Sequence, residues 1–266
     1  MKTFSTSAFR SFKRFIGELT AVAAGIYVGV QEALPVVEQL GTTDPWEVAA
    51  KKYGLVLSGL KSQRVVESSV RLNLVSLYSG FDLFVADIRS QFHLLHGIEW
   101  RQHDGDTPFD ALARNTPSKP GVHLEKLGAH RIAALDYYRL IRNAIAHPNP
   151  EALESAKKFF ETKATHLAKA RAEYGMQSAP NEIERLSFHD LKFLARVALD
   201  LADSIDEDFD PGDEKLAKLL PMEILKRPKS FDRNRNALVG WLHENYGIQT
   251  TRAENIIAQA LNDSSA

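Results

Sequence analysis

Apolar side chains recur along this chain at spacings of three and four residues, which is the period of an α-helix. The clearest stripe lies within residues 72–95 and predicts one long core helix that ends near Gly97. Valine-rich stretches follow the same helical spacing, and no alternating strand pattern is evident. The sequence therefore predicts an all-α protein. The stripe consists of Leu74, Leu77, Phe81, Phe84, Ile88, Phe92 and Leu95.

Proline and glycine separate this stripe from further segments with helical spacing. Pro35 is expected to end the first helix, and Asp44 followed by Pro45 is expected to begin the second. Besides the stripe, the pattern predicts helices over about residues 7–34, 46–60, 123 or 129 to 147, 151–174, 181–205, 230–246 and 250–261.

Turn-forming residues mark the interruptions between these helices. Residues 101–121 are rich in Asp, Gly and Pro, so we expect a long loop there. Pro148 is expected to stop the helix before it. The helix that starts near residue 181 has a second possible start, because Ser187 and Asp190 resemble a capping box with Asp in place of Glu.

A charge reversal near Pro211 indicates a segment boundary. An acidic stretch comes before it and continues to Glu214, and a basic tail follows. We expect three consecutive parts: a helical N-terminal extension (1–62), a helical bundle (63–210) and a small helical C-terminal region (211–266). The acidic residues are Asp206, Glu207, Asp208, Asp210, Asp213 and Glu214, and the basic residues are Lys215, Lys218, Lys226, Arg227, Lys229, Arg233 and Arg235.

Composition excludes some kinds of chemistry, but it is that of an ordinary globular protein. The 266 residues are 44% hydrophobic and 25% charged, which is ordinary for a globular protein. The formal net charge of -1 means that any nucleic-acid surface must be a local patch. The chain has no cysteine, which excludes disulfides, thiol catalysis and Cys-ligated metals. We expect a cytoplasmic location, with which this composition is compatible.

The N-terminal segment has the outline of a signal or membrane segment, with basic residues before an apolar run over residues 19–30. Glu18 and Glu32 bracket that run, which is too short to span a bilayer. We therefore expect an amphipathic helix that packs on the core and no membrane partner, with a membrane-surface helix as the alternative. The basic residues are Lys2, Arg10, Lys13 and Arg14.

One short segment, at the end of the predicted helix before Pro148, contains candidate catalytic residues. Arg142 and Asn143 are followed by three small or apolar residues and then His147. Arg and His five positions apart on an ideal helix point about 140° away from each other. Because Pro148 disfavours the α conformation at His147, that residue is expected at the helix end, free to turn toward Arg142.

This segment resembles the signature of the HEPN superfamily, in which an Arg and a His lie at the end of a core helix. The resemblance covers about residues 64–206 and implies a HEPN-like helical bundle, with residues 72–95 as the earlier helix. Asp82 lies in that helix, where many family members carry an acidic residue. The first 60 residues and the tail have no recognised counterpart.

The resemblance also implies an activity, a metal-independent endoribonuclease that leaves a 2′,3′-cyclic phosphate and uses no cofactor. His147 would be the acid or base, Arg142 would hold phosphate, and Asn143 would orient the His or bind phosphate. The implied partners are an RNA substrate such as tRNA and a second copy in a homodimer. Family members are commonly toxins or anti-phage effectors, so restraint by an antitoxin or triggering by a phage component is expected.

Structural interpretations stay open beside this one. Arg142 can pair with Asp82 or Asp136 in an ion pair, and His147 can be a cationic helix cap. Asp82 itself is either a buried partner of Arg142 or faces solvent. The chain would then be a non-catalytic HEPN module that binds RNA or protein, or an unrelated helical scaffold.

Two further groups of residues have competing interpretations. Tyr138, with Tyr137, stacks on a base or packs in the core or at a dimer contact. Three histidines near the predicted loop suggest a metal site, but without an HExxH arrangement a solvated helix end is the preferred interpretation. Those histidines are His93, His96 and His103, with Asp104 and Asp106 nearby.

Overall fold

The computed structural model describes residues 3–41, 43–228 and 230–263, and every regular element in these ranges is a helix. The predicted all-α class is confirmed. Lys2, Thr42 and Lys229 lie outside the described residues. In chain order the α-helices are α1 (Ser7–Glu38), α2 (Pro45–Lys51), α3 (Ser62–His96), α4 (Pro108–Asn115), α5 (Pro120–Leu127), α6 (Ala129–Ala146), α7 (Pro150–Thr162), α8 (Ala164–Glu173), α9 (Phe188–Asp208), α10 (Asp213–Lys218), α11 (Phe231–Tyr246) and α12 (Thr250–Asp263), with short 3-10 helices at Ile183–Arg185 and Met222–Lys226.

The chain forms two compact units, and each draws on separate stretches of sequence. The terminal unit comprises the described residues of 1–13, 82–128 and 201–266, and the central unit comprises residues 14–81 and 129–200. The boundaries expected after residues 62 and 210 both fall inside a stretch that belongs to a single unit. The three consecutive parts expected from the sequence therefore have different boundaries from these two units.

The terminal unit joins the N-terminal residues to the last helices. Helix α12 packs against α10 and α11. The ring of Phe4 stacks on Tyr246, and the Ser5 amide donates to the Tyr246 carbonyl at 2.8 Å. Arg10 donates to the carbonyls of Glu244 and Asn245, the last carbonyls of α11, which have no partner within the helix. The two ends of the chain thus share one core.

The central unit is built around α6, which packs against α7 and α8. Near the start of its first stretch, the Phe15 ring lies against Gly80, where an added Cβ would clash with the ring. Helix α1 also places the ring of Tyr27 on Phe188, with ring centres 4.9 Å apart. The approach of the Phe15 ring to Gly80 leaves no room for a side chain at position 80.

The long stripe and the C-terminal helices were well predicted. Helix α3 contains the whole stripe and ends at His96, directly before Gly97. Helix α11 begins after an N-cap at Ser230, and it ends at Gly247, whose φ of 64° suits glycine. Long periodic segments with clear end signals are the ones in which sequence alone determines local structure.

The predicted loop over residues 101–121 is wrong in part, because it contains α4 and the start of α5. Both helices begin with a proline, Pro108 and Pro120. Proline at the first helical position needs no amide partner and already has a helical φ. Thr107 and Asp110 form a capping box across the start of α4. The prolines here begin helices, although the sequence pattern suggested that they interrupt them.

Four other predicted bounds were wrong. The helix expected from about residue 181 is α9, which begins at Phe188, directly after the alternative start at Ser187. Helix α1 continues through Pro35 to Glu38, and Pro35 lies exposed within it. Helix α2 keeps its predicted cap at Asp44 but ends at Lys51, shortly before Gly54 with a φ of 69°. The segment 151–174 is two helices, which divide at Lys163.

Helix α1 is the one described helix long and apolar enough to cross a membrane, by length and composition only. Six of its apolar side chains are buried inside the protein, as the sequence predicted for one face: Ala8, Phe9, Phe12, Ile16, Ala23 and Val37. Much of its remaining apolar surface is exposed, which the sequence did not predict.

Candidate functional site

Two buried tyrosines fix the position of α6, the helix that carries the Arg-Asn-His segment. The Tyr137 hydroxyl donates to the Asn181 carbonyl at 2.6 Å, and the Tyr138 hydroxyl donates to Asp190 Oδ1 at 2.8 Å. Burial and the nearby Asp190 raise the pKa of both phenols, so both remain protonated donors. These bonds set the rotation of α6 and therefore the direction of its last turn.

Asp190 is the centre of this hydrogen-bond network, and its side chain is fully buried. Besides the Tyr138 hydroxyl, it accepts from the Asn181 amide at 2.8 Å and from Asn181 Nδ2 at 2.7 Å. It also accepts from the Ser187 amide at 2.8 Å and the Ser187 hydroxyl at 3.1 Å. Five donors compensate for the loss of water around a buried carboxylate. The sequence identified Asp190 only as a helix-capping residue.

Tyr138 is only 1% exposed, so neither face of its ring is open to a nucleotide base. Its ring lies beside that of Phe193, with centres 6.1 Å apart. Of the roles considered for Tyr138, the structure shows core packing. Tyr137 is buried in the same way, beside Phe160.

Arg142 and Asn143 lie half-buried on the last turn of α6. Arg142 Nη1 donates to Asn143 Oδ1 at 3.0 Å. This bond directs the guanidinium toward Asn143, although the two residues are neighbours in sequence and start about 100° apart on the helix. Asn143 therefore helps to orient Arg142, a role that the sequence did not single out.

His147 follows the last helical residue, Ala146, as expected from Pro148. Its backbone amide still donates to the Asn143 carbonyl at 2.8 Å, and its side chain is exposed. Asn143 and His147 are four positions apart and so share one face of the helix. Asn143 is consequently bonded both to the Arg142 side chain and to the His147 backbone, so it connects the three residues of the segment.

The turn after His147 leads directly into α7. Asn149 accepts from the Ala152 amide at 2.7 Å and caps α7, which begins at Pro150. Some HEPN toxins carry a modified tyrosine at the position of Asn149. In this chain that position has a structural role in starting the next helix.

The two acidic candidates, Asp82 and Asp136, have different surroundings. Asp82 is exposed on α3 in the terminal unit, which is the solvent-facing alternative of the two expected for it. It lines a cavity of about 250 Å³ together with Arg89 and Trp100. Asp136 accepts from Arg139 Nε at 2.6 Å on α6.

The histidines near residue 100 lie in different surroundings. His96 is buried with its ring 4.9 Å from that of Phe92, whereas His93 is exposed and pairs with Glu99 at 3.2 Å. Burial first, and then the charge of Lys215, lower the pKa of His96. Among the described residues, no group of three His, Asp or Glu side chains is placed to hold a metal ion.

A buried pair in the terminal unit was not foreseen. His123 on α5 is fully buried, and its Nδ1 lies 2.6 Å from Asp208 Oδ2. Lys126, one turn along α5, donates to Asp208 Oδ1 at 2.7 Å. Together they tie α5 to the end of α9. From the sequence, His123 is one possible start of the helix that is predicted to run to residue 147, but no pattern there indicates its pairing with Asp208.

No protein-family model, curated protein or solved structure matches this chain. The HEPN resemblance therefore stays a prediction that depends on the motif and on the helix that carries it.

Proposed function

We propose that this chain is a metal-independent endoribonuclease of HEPN type. The observation that carries the proposal is the connected group at the end of α6: Arg142 bonds to Asn143 Oδ1, and His147 follows on the same helix face with an exposed imidazole. A cation, an amide and a titratable ring thus lie within two turns at an open helix end. The hydroxyls of Tyr137 and Tyr138 bond to groups in the core and hold that helix in place.

These residue types match what RNA cleavage by the 2′-hydroxyl needs. A base takes the proton from the 2′-OH, and the 2′-oxygen attacks phosphorus and displaces the 5′-oxygen. An acid protonates that leaving oxygen, and a cation stabilises the phosphorane. The products carry a 2′,3′-cyclic phosphate and a 5′-hydroxyl. We assign the proton transfers to His147 and the stabilisation of the phosphate to Arg142.

An in-line displacement places the base and the acid on opposite sides of phosphorus. One imidazole does not serve both sides, so the proposed enzyme is a homodimer in which each copy supplies one His147. Neither step requires a metal or an organic cofactor.

The substrate class is single-stranded or looped RNA, and tRNA is the first candidate to test. The proposed setting is the cytoplasm, as a toxin or anti-phage effector restrained by an antitoxin or triggered by a phage component. This setting comes from the HEPN resemblance.

The experiment incubates the purified chain with tRNA and mixed RNA in EDTA, beside His147→Ala and Arg142→Ala. We expect cleavage by the parent that survives EDTA and falls by at least about 100-fold in both variants. The new ends should be 2′,3′-cyclic phosphates, and a substrate with a 2′-deoxy residue at the cleavage point should stay intact.

The matched control is His93→Ala, because His93 is an exposed histidine in the other unit. It should cleave as the parent does. Equal weak cleavage by the parent and both motif variants would show a contaminating nuclease and refute the proposal. RNA binding without cleavage would favour the non-catalytic HEPN module.

A further inference from the structure

A local excess of positive charge lies where the chain enters α11, in the terminal unit. Residues 215–235 contain seven Lys or Arg but two acidic residues, whereas the whole chain has a formal net charge of -1. Three of these cations are exposed, and none of the three forms an ion pair with another described residue. They are Lys226, Arg227 and Arg233. Cations that no neighbouring carboxylate neutralises attract a polyanion.

A buried asparagine holds two of these cations beside the helix. Asn234 is 2% exposed, and its Nδ2 donates to the Leu225 carbonyl at 3.3 Å and to the Arg227 carbonyl at 3.1 Å. Arg227 has the extended backbone that a residue before proline prefers, with a φ of -68° and a ψ of 148°. The backbone that carries Lys226 and Arg227 is therefore held in place before any ligand binds, which lowers the entropic cost of binding.

An exposed aromatic ring lies on the first turn of α11, beside this segment. Phe231 is 58% exposed, so its ring has the open face that the ring of Tyr138, 1% exposed, lacks. At 100° per residue, Phe231 and Arg233 lie about 60° and 100° to either side of Asn234, so they flank the segment that Asn234 holds. The basic patch consists of Lys226, Arg227, Phe231 and Arg233.

The two acidic residues of this stretch leave the patch positive. Asp232 leaves α11 about 160° around the helix from Asn234, on the side away from the held segment. Glu223 is exposed in the preceding 3-10 helix and forms no ion pair with a described residue. Three cations therefore stand against one carboxylate three residues before Lys226.

We propose that the basic patch binds single-stranded RNA, with its cations on phosphates and the Phe231 ring stacked on an unpaired base. Cations along the backbone and an aromatic ring for the bases are the two elements of single-strand binding. The choice of RNA rests on the proposed function, since phosphates and base faces do not by themselves distinguish RNA from DNA. The patch adds to that function a binding surface whose residues take no part in the cleavage step.

The surroundings of the patch argue against a duplex and against a membrane. Bases in a duplex stack on one another, so a protruding ring meets no free base face. A helix on a membrane surface needs an apolar face, but the exposed positions along α11 include Asp232, Asn236, His243 and Glu244. The patch therefore suits a flexible polyanion with unpaired bases.

Fluorescence anisotropy with a labelled oligouridylate of about 12 nucleotides tests the cations. The full chain carries His147→Ala, so that the RNA stays intact. Log affinity against log salt should have a slope of about -2, since each of three phosphate contacts on a single strand contributes about -0.7. Arg227→Ala and Arg233→Ala should each weaken binding by about three- to tenfold and make the slope shallower by about 0.7. Glu223→Gln should tighten binding by about twofold.

Phe231→Ala separates stacking from charge. It should weaken binding by about tenfold and leave the salt slope unchanged, because stacking releases no counterions. Phe231→Trp should retain binding. The matched controls are Leu94→Ala, at a position 59% exposed on α3 in the same unit, and Lys52→Ala, at an exposed cation in the central unit. Both should bind as the parent does, and circular dichroism should show that every variant stays folded.

Cleavage kinetics keep the patch and the proposed function distinct. With His147 intact, Phe231→Ala should raise the KM for tRNA by about tenfold and leave kcat within about twofold, because the patch supplies binding and not chemistry. Patch-dependent RNA binding by a chain that cleaves nothing would support the patch and refute the nuclease. Cleavage together with RNA binding that no patch variant changes would refute the patch alone.

Two other results would overturn the proposal. One is an RNA duplex of the same length that binds as tightly as the single strand and is unaffected by Phe231→Ala, which would show a general attraction to phosphate. The other is binding to phosphatidylcholine–phosphatidylserine vesicles that Arg227→Ala weakens, without any binding to the oligouridylate. That result would assign the patch to a membrane surface.

Discussion

Along the last three turns of α6, the side chains at the start and those at the end differ in burial and in hydrogen bonding. At one end Tyr137 and Tyr138 are buried, and their hydroxyls donate to groups in the core. At the other end His147 is exposed, and Arg142 bonds to its own neighbour Asn143. The tyrosine end stabilises the fold. The histidine end has side-chain atoms that face solvent, which is a requirement for binding a substrate.

This difference predicts that stability and activity separate along one helix. Substitutions at the tyrosine end should lower the free energy of unfolding, because they leave buried groups without partners. Substitutions at the histidine end should change stability less, because His147 is exposed and Arg142 and Asn143 are only half-buried. If the proposed function is correct, substitutions at the histidine end should instead lower the rate of RNA cleavage.

The largest effect is expected for Asp190→Ala. It removes the acceptor of five hydrogen bonds from the core, among them the one that holds Tyr138. We expect a loss of about 3–5 kcal/mol in the free energy of unfolding by urea denaturation, as for other broken buried networks. Asp87→Ala, at an exposed position on α3, is the control and should stay within about 0.5 kcal/mol of the parent. Equal stability of both variants would refute the anchoring role of Asp190.

Asn143→Ala is expected to act on cleavage, not on stability. It removes the acceptor that orients Arg142, so the guanidinium loses its fixed direction. Cleavage in EDTA should fall by about 10- to 100-fold. The matched control is Asn149→Ala, which should cost about 1 kcal/mol of stability by removing the cap of α7. An Asn143→Ala protein that cleaves normally would show that this hydrogen bond does not position Arg142 for catalysis.

Tyr138→Phe should have a smaller effect on stability than the loss of Asp190. The ring still fills its place beside Phe193, and Asp190 keeps four donors. We expect about 1–2 kcal/mol, the usual contribution of a hydrogen bond to a carboxylate, measured by urea denaturation. Cleavage should be retained. A loss of cleavage without a loss of stability would place Tyr138 in the site and remove the contrast between the two ends.

The smallest effect concerns the pH dependence of stability that buried His96 contributes. Burial, followed by the charge of Lys215, lowers the pKa of His96, so the unfolded chain binds its proton more readily than the folded one. The contribution of His96 is complete above the ordinary histidine pKa, about 6.5. This contribution to stability is lost as the pH falls from about 6.5 through the lowered pKa of His96 in the folded protein. His96→Phe should therefore weaken the fall in stability between about pH 7 and pH 5.

Thermal unfolding of both proteins across that pH range measures the difference. Ser90→Ala, at an exposed position on α3, should keep the pH dependence of the parent, because it removes no titratable group. A parent and a His96→Phe protein with parallel pH profiles would contradict the assignment to His96.

Particular residues show how far sequence reasoning reached. The apolar stripe and Gly97 predicted the end of α3, and Pro148 correctly predicted that α6 ends just before His147. The same reasoning missed α4 and the start of α5, because proline begins helices as readily as it ends them. At α4 the Thr107 capping box is the signal that distinguishes the two cases. It also missed the division at Lys163, where no glycine or proline marks the change.

The sequence by itself determined the helical class, the order of the motif residues and the place where their helix ends. These depend on local properties: apolar period, helix caps and the restricted backbone before proline. Only the tertiary structure decided that Tyr138 is a core residue, that Asp190 holds it, and that α1 keeps one apolar face uncovered. Those outcomes depend on which distant segments pack together, and burial and hydrogen bonding between distant residues leave no periodic signal in a single sequence.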